Sequence, residues 1–528
     1  MQHRSASRKF EALAGLSCFL LLAGTPTDRS YACGPTVASS RRVDDTATAT
    51  VTPDDRQAHN EDSASATNES LNASTEDVAP ATQFATTQPA QTPVSSWYRP
   101  SKAASANRIR EPVDYAHPLS RWNQDGVSLP SWVLFGMEQR TRFDLFDDSY
   151  LYDFERNHAF LMRSRAYLGI REIIDPLRFG VEFQDSRSFD SIVQDVTTEQ
   201  NENDFLQAFA ELYFKDLLGP GQPLSLQAGR LAIDYVDRRL RTRNGFRNTT
   251  NAFDGFRLHL GDLDSRWEME FFAVQPVEIR PRQLDRPDET RWFYGLVGAW
   301  RGWMPLITLE PYYFILDQDR KGWKASDTEL HVLGMRAYGD LFKSGFDYDV
   351  SGTYQCGKNS GITEQSVATH VELGYTIDHP WEPRIAAWLN YASGDRNPTD
   401  DIAGRFDRLF GTSNGLYGYT DYFTFQNLIQ PCMELRLEPD EATQFSAIYR
   451  TNWLASSKDA WVRGNRVDPT GQSGRFIGQQ IDLLLRRRVT ENFSIEVGYS
   501  HFMPGAFVRN TGDSPDSDRL FIQTILRL

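Results

Sequence analysis

Cysteine is scarce in this sequence: the 528 residues include four, Cys18, Cys33, Cys356 and Cys432. Cys18 lies in a stretch that we expect to be removed, and the odd number that remains gives no disulfide framework. The cysteines show no CxxC pair and no Cys/His spacing typical of zinc. The sequence therefore predicts neither a metal site nor another cofactor.

Basic charge and long apolar runs are also missing. The net charge of −15 argues against a general nucleic-acid binder. Beyond residue 32 no apolar run approaches the roughly 18 residues that a transmembrane helix needs. The mean hydropathy of −0.51 alone would indicate a soluble protein. A transmembrane β-barrel gives the same value, however, because half of each strand is polar.

The N-terminal 131 residues are predicted to lie outside the main domain. A basic start and an apolar run, with Ser30 and Ala32 at −3 and −1, predict a signal peptide over residues 1–32. Lipidation of Cys33 stays open, although Tyr31 departs from the lipoprotein pattern. Residues 33–96 are rich in Ser, Thr and Asp and are expected to form a disordered tail. Residues 97–131 form a lead-in segment that either packs against the main body or plugs it.

From residue 132 onward, apolar and polar residues alternate with a period of two. Met137 and Phe143 share one parity, and Arg140 and Arg142 share the other. Similar runs recur, for example over residues 206–214, where Leu206 falls on the apolar parity. Alternation at this period is typical of strands, and breaks rich in Gly, Pro, Asp and Asn separate the runs.

We therefore predict an all-β fold, a single transmembrane antiparallel β-barrel of about 18 strands over residues 132–528, preceded by the disordered tail. A β-sandwich rarely repeats Arg-x-Arg on its polar face, and a propeller needs a blade repeat that is absent here. A closed barrel in a membrane explains the apolar outward face, the charged inward face and the signal peptide together.

The stretch Leu226–Leu260 concentrates the inward charge. Two alternating runs flank a loop that carries five arginines, Arg238, Arg239, Arg241, Arg243 and Arg247. Such a cluster is unusual in a soluble core, and it suits an inner surface that meets water and anions.

Short motifs spread over residues 132–528 resemble the alginate-export porins of Gram-negative outer membranes. The motifs are Gly229-Arg230, Asp237-Arg238-Arg239-Leu240, Phe253-Asp254-Gly255, Ser393-Gly394-Asp395, Phe406, Leu409-Phe410, Tyr417-Gly418-Tyr419-Thr420-Asp421, Gly478-Gln479-Gln480-Ile481-Asp482 and Gly498-Tyr499-Ser500-His501-Phe502. Val236 stands where the family pattern has glycine, and the long acidic tail lies outside the pattern.

The resemblance implies a monomeric barrel of 18 strands in the outer membrane of a Gram-negative-type bacterium. It further implies an arginine-lined pore that passes an acidic polyuronate, alginate, from the periplasm to the exterior. The expected partners are thus an anionic polysaccharide and outer-membrane lipid, with periplasmic secretion partners left open. Two alternatives remain: a general or substrate-selective anion porin, and a closed barrel that serves as a surface binding or adhesion protein.

The candidate lumen residues come from the polar parity of the strands, from the arginine-rich loop or from the family motifs. They are Arg140, Arg142, Arg163, Arg165, Arg171, Arg230, Arg238, Arg239, Arg257, Asp237, Asp254 and Asp395. Guanidinium keeps its charge at any relevant pH and pairs with carboxylate through a rigid fork. The alternative interpretation is that these arginines pair with Glu138, Asp144, Glu182 and Glu211 and only stabilise the wall. Asp254 and Asp395 equally suit turns.

Two further features leave alternatives open. The segment of residues 395–415 with Tyr417 and Tyr419 forms either an external lid or a loop inside the pore, and its aromatic rings either stack on sugars or belong to the membrane-interface belt. Ser500, His501 and Asp482 resemble a triad, but no nucleophile motif supports it and His501 has outward parity. An enzyme is not expected.

Overall fold

A computed structural model describes residues 129–130, 132–151, 156–191, 196–233, 236–243, 245–261, 265–319, 327–342 and 344–527. The predicted signal peptide, the predicted tail and nearly all of the lead-in segment lie outside the described residues, as does Leu528.

Eighteen strands form the wall of one closed antiparallel sheet in this part of the chain. They are β1 (Val133–Asp147), β2 (Arg156–Ile174), β3 (Leu177–Phe189), β4 (Asn201–Phe214), β5 (Leu224–Leu231), β6 (Phe253–Leu260), β7 (Trp267–Glu278), β9 (Arg291–Trp303), β10 (Ile307–Gln318), β11 (Thr328–Asp340), β12 (Phe346–Asn359), β13 (Ile362–Thr376), β14 (Arg384–Ala392), β16 (Leu428–Asp440), β17 (Thr443–Trp453), β18 (Phe476–Arg488), β19 (Phe493–Pro504) and β20 (Ser517–Arg527). Two short strands, β8 (Arg286–Pro287) and β15 (Ile402–Ala403), pair at the edge of the wall.

The barrel closes between its first and last strands. β1 pairs antiparallel with β2 on one side and with β20 on the other, so that Glu138 faces Arg165 and Arg527. Closure leaves no free sheet edge, which is the condition for a β-structure in a lipid bilayer. The predicted fold class is confirmed.

The alternation along the strands sorts the side chains as predicted. Met137 is 41% exposed on the outer face, whereas Arg140 on the opposite parity of β1 is 1% exposed. Leu206 differs. It is the extra residue of a bulge, since Gln207 faces Glu182 while Phe205 already faces Phe183. Leu206 is buried in a small apolar cluster with Ala232 and Ala252.

The two ends of the barrel carry different connections. At the end of the barrel where β1 begins and β20 ends, the strands are joined by turns as short as residues 175–176 and 441–442. The opposite end carries long connections, including residues 232–252, 393–427, 454–475 and 505–516. The last of these contains the helix α1 (Ala506–Thr511). No helix in the described residues has the length and apolar character to cross a membrane.

Aromatic rings fill part of the barrel interior. Phe253, Phe272, Phe293 and Phe314 are fully buried on the inner face and pack with rings from the long connections, such as Phe410. The interior therefore has an apolar core as well as the predicted polar lining.

Of the two described cysteines, Cys432 is a free, buried thiol.

Candidate functional site

Two long connections turn into the barrel. We call residues 232–252, between β5 and β6, inner loop 1, and residues 393–427, between β14 and β16, inner loop 2. Inner loop 1 enters where the wall is low, because β5 and β6 have only 8 residues each. Both loops reach side chains of the inner face, which decides the alternative left open for Tyr417 and Tyr419: their loop lies inside the barrel.

Arg140 and Arg163 on the wall hold the backbone of inner loop 1. Arg140 Nη1 donates to the carbonyls of Gly245 (2.7 Å) and Phe246 (2.9 Å), and its Nη2 donates to the carbonyl of Arg247 (3.0 Å). Arg163 Nη1 donates to the carbonyls of Gly245 (2.9 Å) and Arg247 (3.1 Å). Two wall guanidinium groups thus converge on one turn of the loop.

Asn248, which has a neutral side chain, attaches the same turn to the wall. Its Oδ1 accepts from Arg140 Nη2 at 3.0 Å. Its Nδ2 lies 3.0 Å from the carbonyls of Met162 and Arg187 and 2.8 Å from that of Glu199. The side chain is fully buried. Asn248 therefore joins inner loop 1 to β2, β3 and the connection after β3.

Phe246, at the tip of inner loop 1, lies between two wall arginines. The guanidinium carbons of Arg142 and Arg519 are 4.0 and 5.0 Å from its ring centroid. The ring also packs edge-on against Phe521 (5.0 Å) and Tyr419 (6.4 Å). Cation–π contacts of desolvated arginine are among the stronger ones, so the tip is well fixed.

Inner loop 2 is held by arginines of the last wall strands. Arg450 donates to the carbonyls of Gly415 (3.0 Å) and Leu416 (3.1 Å), and Arg519 donates to that of Tyr419 (2.7 Å). Tyr417 and Tyr419 are buried in aromatic contacts inside the barrel, so they are not part of a membrane-interface belt.

The two inner loops are also joined to each other. Phe410 N donates to the Leu240 carbonyl (3.0 Å), and Thr412 N donates to the Arg238 carbonyl (3.1 Å). Between these bonds, a Cβ on Gly411 would lie 1.7 Å from the Arg239 carbonyl oxygen. Only glycine lets the two backbones approach this closely.

Many arginines of the inner face pair with carboxylates of the same strand or of a strand one or two positions away in the sheet. The pairs, with their N–O distances, are Arg142–Asp144 (2.7 Å), Arg163–Glu138 (2.8 Å), Arg257–Glu270 (2.8 Å), Arg336–Asp349 (2.8 Å), Arg384–Asp347 (2.6 Å), Arg450–Asp482 (2.9 Å), Arg486–Glu496 (3.3 Å) and Arg519–Asp144 (3.1 Å). The alternative interpretation thus holds in part for Glu138 and Asp144. Glu182 pairs with Arg243 of inner loop 1 at 2.9 Å and lies 4.0 Å from Arg165 of the wall. Glu211 accepts from Ser225 and Gln227.

The remaining inward candidates fall into two groups. Arg165 donates to Gln184 at 2.9 Å and lies 3.8 Å from Glu138, and Arg171 lies nearer the short-turn end beside Tyr167. Asp237, Arg238 and Arg239 belong to inner loop 1, where Arg239 lies 3.3 Å from Asp237 and both side chains are nearly buried.

Arg230 and Asp254 lie on the opposite parity. They face each other in β5 and β6 on the side of Phe256, which is 59% exposed, and they form a bidentate pair at 2.8 and 3.0 Å. This pair belongs to the outer side of the wall, so we do not retain it in the lumen set.

The connection of residues 279–290 fills the gap above the low hairpin β5–β6. Pro281 accepts from Glu202 N (2.9 Å), and the Asp285 carbonyl accepts from Arg230 Nη2 (3.2 Å). Asp285 N donates to Asp204 Oδ2 at 3.3 Å. Burial and the adjacent Asp204 carboxyl raise the pKa of Asp285 from 3.8 to about 8.

The structure bears directly on two sequence hypotheses, the turn at Asp395 and the considered triad. Asp395 Oδ1 accepts from Asn397 N at 3.1 Å, as the turn interpretation predicted. Ser500 faces inward and donates to Asp482 at 2.7 Å, whereas His501 faces outward and contacts Asp518 at 2.9 Å. The three residues of the considered triad therefore lie on both faces of the wall.

The sequence interpretation missed the wall arginines of the second half, Arg336, Arg384, Arg450, Arg486 and Arg519. All are buried on the inner face. The period-two alternation already contained this signal, since each falls on the polar parity of its strand.

The comparisons with known proteins agree with this architecture. The sequence profile of the alginate export family matches residues 131–522. No curated protein matches the chain in sequence. Among solved structures, Pseudomonas aeruginosa OccK8 (OprE) and OccD3 (OpdP) are similar in fold, with TM-scores of 0.53 and 0.51. They are 12% and 9% identical over 76% of this chain, and the match covers 99% and 92% of theirs. OccK3 (OpdO) of the same organism has a TM-score of 0.50 and 15% identity over 75% of this chain and 95% of its own. At such identities the likeness concerns the fold alone.

Proposed function

The chain belongs to the alginate export family and to the outer membrane of a Gram-negative-type bacterium, and from this we propose that it exports an anionic polysaccharide of the alginate type. The polymer passes outward through the lumen, from the short-turn end to the loop-rich end. The barrel acts as a monomer in outer-membrane lipid, without a cofactor.

The observation that carries the proposal is the distribution of guanidinium groups on the inner face. They occur on strands all around the barrel, from Arg140 on β1 to Arg519 on β20. A polyuronate carries one carboxylate per sugar, and arginine binds carboxylate in preference to neutral sugar hydroxyls.

The ion pairs of the wall are compatible with movement of a polymer. Each paired guanidinium already has a fixed acceptor, so an arriving carboxylate exchanges with it and does not fill a vacant strong site. Exchange keeps each binding step weak, as passage along a row of sites requires. The retained candidates for this path are Arg140, Arg142, Arg163, Arg165, Arg171, Arg238, Arg239, Arg257 and Asp237.

A planar bilayer tests the proposal. Oligouronate added to a single open channel is expected to interrupt the current, whereas a neutral glucan of equal length is not. Replacing Arg163 and Arg165 together by Gln is expected to lower both anion selectivity and the frequency of block. Unchanged selectivity would remove this pair from the path.

One observation favours a different function. The inner loops bury Arg450 and Tyr417 in the interior, and a barrel so filled also suits a surface binding protein. A channel that stays silent with and without polyuronate would favour that alternative. A current that every small anion carries equally, without block by polyuronate, would favour a general anion porin.

A further inference from the structure

We propose that Arg140 and Arg163 form a carboxylate site that inner loop 1 occupies at rest, and that a polyuronate enters by displacing this loop. The inference rests on the proposed function, because it concerns how the same lumen admits its substrate. In this view the backbone carbonyls of inner loop 1 occupy, at rest, the positions that the substrate carboxylates would take.

The acceptors that inner loop 1 offers to these arginines are neutral, although Arg163 also pairs with Glu138 of the wall at 2.8 Å. Carbonyl oxygens of Gly245, Phe246 and Arg247 take four of the hydrogen bonds of the two guanidinium groups at 2.7–3.0 Å. A carboxylate forms shorter and roughly twofold stronger bonds with guanidinium than a neutral carbonyl does. An arriving uronate therefore competes favourably for the same donors.

The local charge favours an anion at this position. Arg140, Arg142, Arg163 and Arg165 project from adjacent strands, and Glu138 and Asp144 are the carboxylates on the same two strands within the inner face. Arg140 itself contacts no carboxylate among the described residues. The site thus carries an uncompensated guanidinium that the loop carbonyls solvate.

Release of inner loop 1 would extend to the other side of the barrel. Its contacts with inner loop 2, Leu240 with Phe410 and Phe246 with Tyr419, link the two loops. Inner loop 2 is in turn held by Arg450 and Arg519 through the same kind of carbonyl bond. The guanidinium groups that hold inner loop 1 and those that hold inner loop 2 can therefore bind a polyanion one after the other.

We call the displaceable inner loop 1 the latch. The variant Asn248→Ala distinguishes a latch from a pore that is only lined with arginine, because it leaves every wall arginine in place. It removes the bonds of Asn248 to Arg140, to two wall carbonyls and to the carbonyl of Glu199, so we expect the open population, and with it the mean KCl conductance, to rise about tenfold. Asn251→Ala is the matched control, since the Asn251 amide donates within the loop to the Thr242 carbonyl at 3.0 Å, and we expect wild-type conductance for it. Wild-type conductance of a correctly folded Asn248→Ala barrel, judged by its heat-modifiable migration, would overturn the proposal.

A labelling experiment tests displacement directly. Thr249 is fully buried in inner loop 1, and a Thr249→Cys variant should react slowly with a maleimide, with the parent protein reporting any background from the buried Cys432. We expect oligouronate to accelerate labelling about tenfold, and a neutral glucan of equal length to leave it unchanged. If oligouronate blocks the current but labelling stays slow, the latch is wrong and the export function stands. If oligouronate changes neither current nor labelling, both are wrong.

Discussion

Arg384 binds both carboxylate oxygens of Asp347, with Nη2–Oδ1 at 2.6 Å and Nε–Oδ2 at 2.9 Å, and its side chain is completely buried. The same guanidinium lies 2.6 Å from Glu372 and 3.4 Å from Glu434. One arginine on β14 thus contacts three carboxylates, which lie on β12, β13 and β16 of the inner wall.

Removing this guanidinium should destabilise the barrel strongly. Arg384→Met keeps the apolar volume but leaves the buried carboxylate of Asp347 without a cation, which should cost about 3–5 kcal/mol. The free energy of unfolding from liposomes in guanidinium chloride measures the effect. Arg487→Met is the control, because the Arg487–Asp440 pair is exposed at 3.4 Å and should contribute less than about 1 kcal/mol. Equal losses for the two variants would contradict the burial argument.

The close contact of the two inner loops depends on a glycine, Gly411, which has no side chain. In Gly411→Ala the new Cβ would meet the Arg239 carbonyl, so we expect the backbone bonds of Phe410 and Thr412 to break. Protease digestion of the folded barrel should then cut inner loop 2 at sites that are protected in the wild type. Gly352→Ala serves as control, since its Cβ would meet nothing within 4 Å. Identical digestion patterns of Gly411→Ala and the wild type would contradict the prediction, because they would show that the added Cβ leaves inner loop 2 protected.

The raised pKa of Asp285 makes the connection of residues 279–290 sensitive to pH. Because the folded-state pKa is about 8 and the ordinary value is 3.8, the folded state binds the proton more tightly. The resulting stabilisation is complete below pH 3.8 and is lost as the pH rises through 8. Tryptic cleavage after the exposed Arg282, relative to cleavage after Arg396 in inner loop 2, should increase between pH 7 and pH 9.

Asp285→Asn removes the titrating carboxyl and keeps a side chain of the same size. The relative cleavage after Arg282 should then be independent of pH. A wild-type profile that is flat over the same range would contradict the assignment to Asp285, and an unchanged slope in Asp285→Asn would assign it to another group.

The aromatic core inside the barrel should contribute to stability like the core of a soluble domain. Phe293 is fully buried among Phe253, Phe272 and Phe314, and Phe293→Ala should cost about 3–5 kcal/mol through lost contacts and a cavity. Phe256→Ala, on the lipid-facing side, should cost much less because lipid chains fill the space. Unfolding of both variants from liposomes compares them.

Local sequence determined the strands well and the inner loops poorly. The period-two pattern predicted β5 and β6 on either side of the arginine-rich loop, and the polar parity identified Arg140 and Arg163 as inward. It did not predict that their partners are carbonyls about 80–110 positions away in the chain, because no local pattern encodes such a contact.

Two errors have simple physical reasons. Arg230 was assigned to the lumen by motif, although its parity is that of Leu226 on the outer face. Leu206 followed the alternation of its strand, which a bulge interrupts by inserting one residue. The parity of Arg230 was readable from the sequence, whereas the bulge at Leu206 becomes evident only in three dimensions.

The ring of paired charges on the inner wall has a consequence for how the barrel is assembled. If one strand slipped by a single residue against its neighbour, every guanidinium on it would turn toward lipid. Each arginine at the middle of the membrane would then cost about 2–4 kcal/mol. Inward pairs such as Arg163–Glu138 and Arg336–Asp349 thus favour the native register of the strands over a register shifted by one residue while the barrel inserts into the membrane.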